Sequence, residues 1–129
     1  MSYNTPTELK YTKDHEWTSL DREGHATIGI TDFAQQSLGD IVFVELPEIG
    51  SDLTKEESFG VVESIKSVSD LYAPLTGKVV EVNEALQDSP ELLNEDPYAN
   101  WMVKIEISNQ DEVSSLLGSP DYEKLQVEQ

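Results

Sequence analysis

Phe59-Gly60-Val61-Val62-Glu63-Ser64-Ile65-Lys66-Ser67-Val68-Ser69-Asp70-Leu71-Tyr72-Ala73-Pro74 is the stretch that decides the fold. Two apolar, β-prone runs at 59–65 and 71–73 flank a polar turn, the pattern of two strands joined by a tight connection. Lys66 stands in that connection and is the only cation between Lys55 and Lys78. A lysine at the tip of such a turn holds its amine in water on a flexible stem, which suits an enzyme that must acylate it. Most surface lysines are simply solvated, so the rest of the chain has to decide between the two.

Outward from this hairpin the chain repeats itself. Gly39-Asp40-Ile41-Val42-Phe43-Val44-Glu45 is echoed 38 residues later by Gly77-Lys78-Val79-Val80-Glu81-Val82-Asn83. Each copy starts at a glycine, runs into a β-branched strand and is followed by another strand, at 59–65 and 101–107. Two units too small to bury an apolar face alone would pair around a shared core. Lys66 lies at the joint between them. Further strands are expected near Tyr11 and at 17–20, 26–30, 41–46, 78–82 and 102–107. Pro47, Pro74, Pro90 and Pro97 fall at strand ends or loops, where a missing N–H costs least. Short helices are expected at 31–39, capped by Thr31 or Asp32 and stopped by Gly39, and as a single turn at 90–94. Two more, at 111–117 and 120–127, are split by Gly118 and restarted by Pro120. The fold class is therefore mainly β with peripheral helices, including at the C-terminus. One domain over 1–129, with its core at about 9–122, is the expected organisation.

Composition narrows the function. Twenty-six acidic and 8 basic residues give a formal charge of −18. Such a surface repels nucleic acid and anionic membrane and favours basic patches on protein partners, although it serves solubility equally well. No apolar stretch reaches membrane-spanning length. Met1-Ser2-Tyr3-Asn4-Thr5-Pro6 carries no signal or transit pattern, so a bacterial cytoplasmic location is expected. With no cysteine, any sulfur redox chemistry has to come from a cofactor. His15 and His25 lack metal-pair spacing, so no metal is expected. Nor is there a phosphate-cradling glycine loop.

Glu63-Ser64-Ile65-Lys66-Ser67, followed by Ala73-Pro74 and then Gly77, resembles the lipoyl-attachment motif. Related biotinyl domains carry methionines beside the lysine, where this chain has Ile65 and Ser67. Leu9-Lys10-Tyr11-Thr12-Lys13-Asp14-His15-Glu16-Trp17, Gly29-Ile30-Thr31-Asp32-Phe33-Ala34-Gln35, the run from Leu38 to Pro47 and the run from Ser89 to Tyr98 extend the likeness. Together they resemble the H protein family of the glycine cleavage system, over roughly residues 9–122. One departure is Tyr98-Ala99-Asn100-Trp101, where the family usually places glycines before the tryptophan.

The resemblance implies a lipoyl-like hybrid barrel-sandwich of two antiparallel sheets and a non-catalytic carrier, expected as a monomer. It implies lipoate joined to Lys66 as N6-lipoyllysine by a lipoyl or octanoyl transferase or a lipoate ligase, with Glu63 and Gly77 as recognition residues. It also implies three partners. A pyridoxal-phosphate decarboxylase (P protein) loads the aminomethyl group of decarboxylated glycine, and a tetrahydrofolate-dependent aminomethyltransferase (T protein) removes the methylene and releases ammonia. Dihydrolipoamide dehydrogenase (L protein) then restores the disulfide. The cofactors carry the chemistry, while the domain supplies position and shelter. A loaded amine is protected when protonated and kept from water. Glu16 and Asp70 match positions near the parked arm in that family, and Asp14 could add to the field; all three serve equally as solvated surface acids. The same motif is compatible with an H-like relay donating lipoyl groups to other enzymes, or with an unmodified interaction module.

Overall fold

Nine strands form two antiparallel sheets in the computed structural model, which describes residues 3–128. The first sheet has the order β1 (Lys10–Tyr11), β2 (Glu16–Leu20), β3 (His25–Ile30), β9 (Val103–Ile107), β8 (Gly77–Val82), β5 (Asp52–Leu53). The second places β6 (Ser58–Ser64) between β4 (Ile41–Glu45) and β7 (Val68–Tyr72). Period-two alternation sends Ala26, Ile28, Val79, Val103 and Ile105 of the first sheet into one buried cluster with Ile41, Val44, Val62 and Leu71 of the second. A fully buried Val, Leu or Ile contributes about 1.5–3 kcal/mol relative to exposure, so this shared cluster is what joins the sheets. They face each other as a sandwich, and among the described residues no hydrogen-bonded ladder closes them into a barrel.

The internal repeat has a structural counterpart. Each glycine-led strand pairs antiparallel with its follower, β4 with β6 and β8 with β9, but on different sheets. The likeness extends to an irregularity. Register shifts between Ile41 and Phe43 in one copy and between Val79 and Glu81 in the other. Val42 and Val80, the residues passed over, are 38 positions apart like the copies themselves.

Helix α1 (Asp32–Leu38) starts at Thr31, whose hydroxyl accepts from Ala34 N at 3.2 Å, and stops at Gly39, where φ is 81°. Three helical segments depart from expectation. Helix α2 (Ala85–Asp88) was not foreseen, α3 (Leu92–Glu95) begins two residues late, and Gln110–Ser115 is a 3-10 helix. Helix α4 (Ser119–Glu128) holds Pro120 in its first turn, where no N–H is needed. Tyr122 fastens it to the first sheet by stacking on Tyr11 at 4.7 Å, beside buried Leu9 and Trp17. The 98–101 loop, where glycine is missing, is held by side chains instead. Asp96 accepts from Tyr98 N and Ala99 N, and Asn100 donates to Leu92 O and Asp96 O.

Candidate functional site

Lys66 sits in the connection between β6 and β7, which is tighter than composition suggested because β7 already begins at Val68. Ser64 closes it. Its backbone N donates to Ser67 O at 2.8 Å, and its hydroxyl accepts from Lys66 N at 3.3 Å and Ser67 N at 3.1 Å. Ser64 is buried while residues 65–68 are exposed, so the turn is held from below and presented outward. The α1–β4 corner supports it: Ile65 N donates to Asp40 O at 3.1 Å, and a Cβ on Gly39 would lie 3.5 Å from Lys66 Cε. Asn94 of α3 clasps that corner. Its amide donates to Gly39 O at 2.8 Å and Gln35 Oε1 at 3.0 Å, and its carbonyl accepts from Ile41 N at 2.9 Å. Among the described residues no hydrogen bond or ion pair holds Lys66 Nζ, so the amine is chemically available.

The two expected recognition residues lie apart. Glu63 is on the outer face of the second sheet, in register with Phe43 and Val68. Gly77 begins β8 in the other sheet, between Leu53 and Ile107. Its φ is not positive, so the motif's glycine is not required here for a left-handed turn. Instead, a Cβ there would lie 2.4 Å from Glu106 O and 3.0 Å from Ile105 Cδ1. Close backbone approach is what demands glycine. The Ala73–Pro74 step is the crossing from one sheet to the other, with both residues and Leu75 buried.

Glu16 opens β2 and is 1% exposed. Its carboxylate accepts from Thr12 Oγ1 at 2.5 Å and from Tyr72 N at 3.2 Å. Burial pushes its pKa up to about 7, with a smaller push from Asp14, against the lowering effect of the two hydrogen bonds. Glu16 and Asp14 line a cavity of about 170 Å³ with Thr12, Lys55, Pro74 and Leu116. A neighbouring opening of about 320 Å³ is lined by Lys13, Asp14, Glu56 and Tyr72. Strand β7 links the Lys66 turn to this cleft, about 13 Å at about 3.3 Å per residue. Asp70 lies exposed on that strand opposite Val61 and lines neither opening. The structure thus brings Glu16 and Asp14 together and leaves Asp70 on the way to them.

His15 serves packing. At φ 70°, its Nδ1 is 2.8 Å from Tyr122 Oη, its ring stacks on Phe33, and Tyr122 Oη lies 2.7 Å from Thr31 Oγ1. Sequence reasoning missed Ser64, Thr12 and Asn94. Serine and threonine that bond backbone a few residues away have a local signature. Asn94 has none, since its partners lie 53, 55 and 59 positions away.

Comparison with known proteins adds independent findings. The family model described as glycine cleavage H-protein matches residues 9–129. A glycine cleavage system H protein of Carboxydothermus hydrogenoformans is 60% identical over 121 residues, covering 93% of this chain and 92% of its own. One from Koribacter versatilis is 56% identical over 129 residues, covering 100% and 98%. A crystal structure of a glycine cleavage system H protein from Mycobacterium marinum superposes with a TM-score of 0.83 at 41% identity, covering 91% of this chain and 94% of that one.

Proposed function

The chain belongs to the glycine cleavage H-protein family, and on that premise we propose that Lys66 is its lipoyl-bearing residue. Family membership supports a lipoyl carrier of the glycine cleavage system. In the reading proposed here it serves in turn the pyridoxal-phosphate decarboxylase, the tetrahydrofolate-dependent aminomethyltransferase and dihydrolipoamide dehydrogenase, and is itself non-catalytic. The observation that carries the reading is an exposed lysine on a side-chain-pinned turn, its amine unengaged among the described residues.

The residues present fit lipoate: an available amine at the hairpin, and a cleft that combines apolar Ala73, Pro74, Leu116 and Leu117 with three carboxylates, Asp14, Glu16 and Glu56, and two lysines, Lys13 and Lys55. When bound, lipoate supplies a redox-active sulfur pair able to hold and release an aminomethyl group. Ser64 and Asp40 keep the attachment point in one pose. The cleft's apolar lining limits water, while Asp14, Glu16 and Glu56 outnumber Lys13 and Lys55 and favour the cationic form of an amine entering it. Glu16 contributes most when ionised, above about pH 7. Asp70 adds negative charge along β7. Glu63 offers a carboxylate on the outer face for recognition by the attaching enzyme, and Gly77 acts through the sheet geometry that it permits.

Mass spectrometry of protein from lipoate-replete cells tests the assignment. One lipoyl group is expected, mapped to Lys66. Lys66→Arg keeps the charge and is expected to carry none, to melt at the same temperature and to be inactive in a reconstituted glycine cleavage assay. Lipoate on Lys55 or Lys78 would overturn the assignment.

A further inference from the structure

Of the six large hydrophobic side chains left exposed among the described residues, five lie on β4, in the segment after it, or at the β6–β7 turn. Val42, Phe43, Ile65 and Val68, exposed by 54, 46, 72 and 66%, form a collar about the Lys66 turn. Phe43, Glu63 and Val68 stand in register across three strands. Phe43 also lines a groove of about 570 Å³ with Leu46 and Ile49, rimmed by Glu45, Glu48 and Glu84. Ile49, the fifth side chain, is 64% exposed at its far end. Contiguous exposed apolar surface with a polar rim marks a site of protein contact. Its charge is one-sided: stretches 40–50, 58–72 and 82–88 contain a single cation, Lys66.

We propose that this collar and groove are the docking face for the enzyme that attaches lipoate, which meets them with an apolar ridge flanked by lysines or arginines. The inference rests on the Lys66 assignment. It selects the attaching enzyme over the transfer partners by where the chemistry happens. In attachment, Lys66 Nζ attacks an activated acyl carbonyl (a thioester or an acyl adenylate). The C–N bond forms, the C–S or C–O bond breaks, and the amine proton leaves as the thiol or phosphate group departs. That enzyme must bring its reacting centre to Nζ and so covers every side chain around the turn. The transfer partners act at the distal end of the modified lysine and need not cover the collar. Acids around a lone cation suit a basic surface and speed its approach.

The test uses the unmodified chain as acceptor for a lipoate ligase supplied with lipoate and ATP, with initial rates followed against acceptor concentration. Phe43→Gln/Val68→Gln is expected to raise KM for the acceptor about tenfold with kcat within about twofold, and Ile49→Gln to raise it about threefold. Leu20→Gln, exposed on the other sheet, is expected to match wild type. All four positions are exposed, so melting temperatures should hold, and added salt should raise the wild-type KM. A wild-type KM in the collar variant overturns the proposal. So does normal attachment combined with impaired aminomethyl transfer, which would assign the face to a transfer partner. Lipoylation of Lys66→Arg would instead sink the lysine assignment on which the proposal stands.

Discussion

Glu16 is the one carboxylate fully buried among the described residues, and its protonation should be legible in stability. Its pKa of about 7 in the folded chain stands above the ordinary glutamate value of about 4.3. Between those values the folded state binds the extra proton, so this stabilising contribution is complete below about pH 4.3 and disappears as pH rises through 7. Unfolding free energy from urea titrations should therefore fall between pH 5 and 8 more steeply in wild type than in Glu16→Gln, by about 1–3 kcal/mol. Equal slopes would show that the carboxylate is better solvated than its burial implies. Gly77 answers to a different force. Gly77→Ala drives a methyl against Glu106 O and should cost about 1–3 kcal/mol by separating β8 from β9. Lipoylation per folded molecule should be unchanged, because the glycine sits on the opposite sheet from Lys66. A slowed rate at full folding would reveal a more direct reading of this residue.

The hairpin and the corner beneath it work as one unit. Asn94→Ala strips a partner from Ile41 N and Gly39 O, at a cost of about 1–3 kcal/mol for the groups left unsatisfied. It should also loosen Asp40, so hydrogen exchange at the Ile65 amide is expected to quicken about tenfold or more while central β6 amides change only with global stability. Uniform acceleration along β6 would mean that Asn94 merely stabilises the whole. Elements with dense β-branched runs were readable in advance: β6 was expected at 59–65 and lies at Ser58–Ser64, and β4 was expected at 41–46 and lies at Ile41–Glu45. Strand β5 was not, because Asp52–Leu53 exists only through pairing with Lys78 and Gly77. The first half of β7 was hidden by Ser69 and Asp70, which read as turn residues until β6 supplies a partner strand. Lys66 could be singled out from the sequence because its signal, a lone cation between two β-prone runs, is local. The Asn94 clasp and the Glu16–Tyr72 link could not, because tertiary structure creates them.

At the scale of the whole molecule, repulsion dominates the charge balance. Against a formal charge of −18, the salt bridges among the described residues are Lys55–Glu56 and Lys104–Glu81, with His25 beside Asp21, and in each the acid is exposed. Screening should therefore relieve more repulsion than attraction. The melting temperature is expected to rise by several degrees between about 10 and 200 mM NaCl, readable by calorimetry; a fall would mean that unseen pairings outweigh the net charge. One consequence follows from the placement of β7 at the end of its sheet. An end strand with open backbone groups invites a second copy to zip alongside, and Val68 beside the lysine turn would encourage it. Here Tyr72 N is already claimed by Glu16, and Asp70 sets a charge midway along the strand. The strand that leads to Lys66 is thereby guarded against zipping onto a second copy of itself.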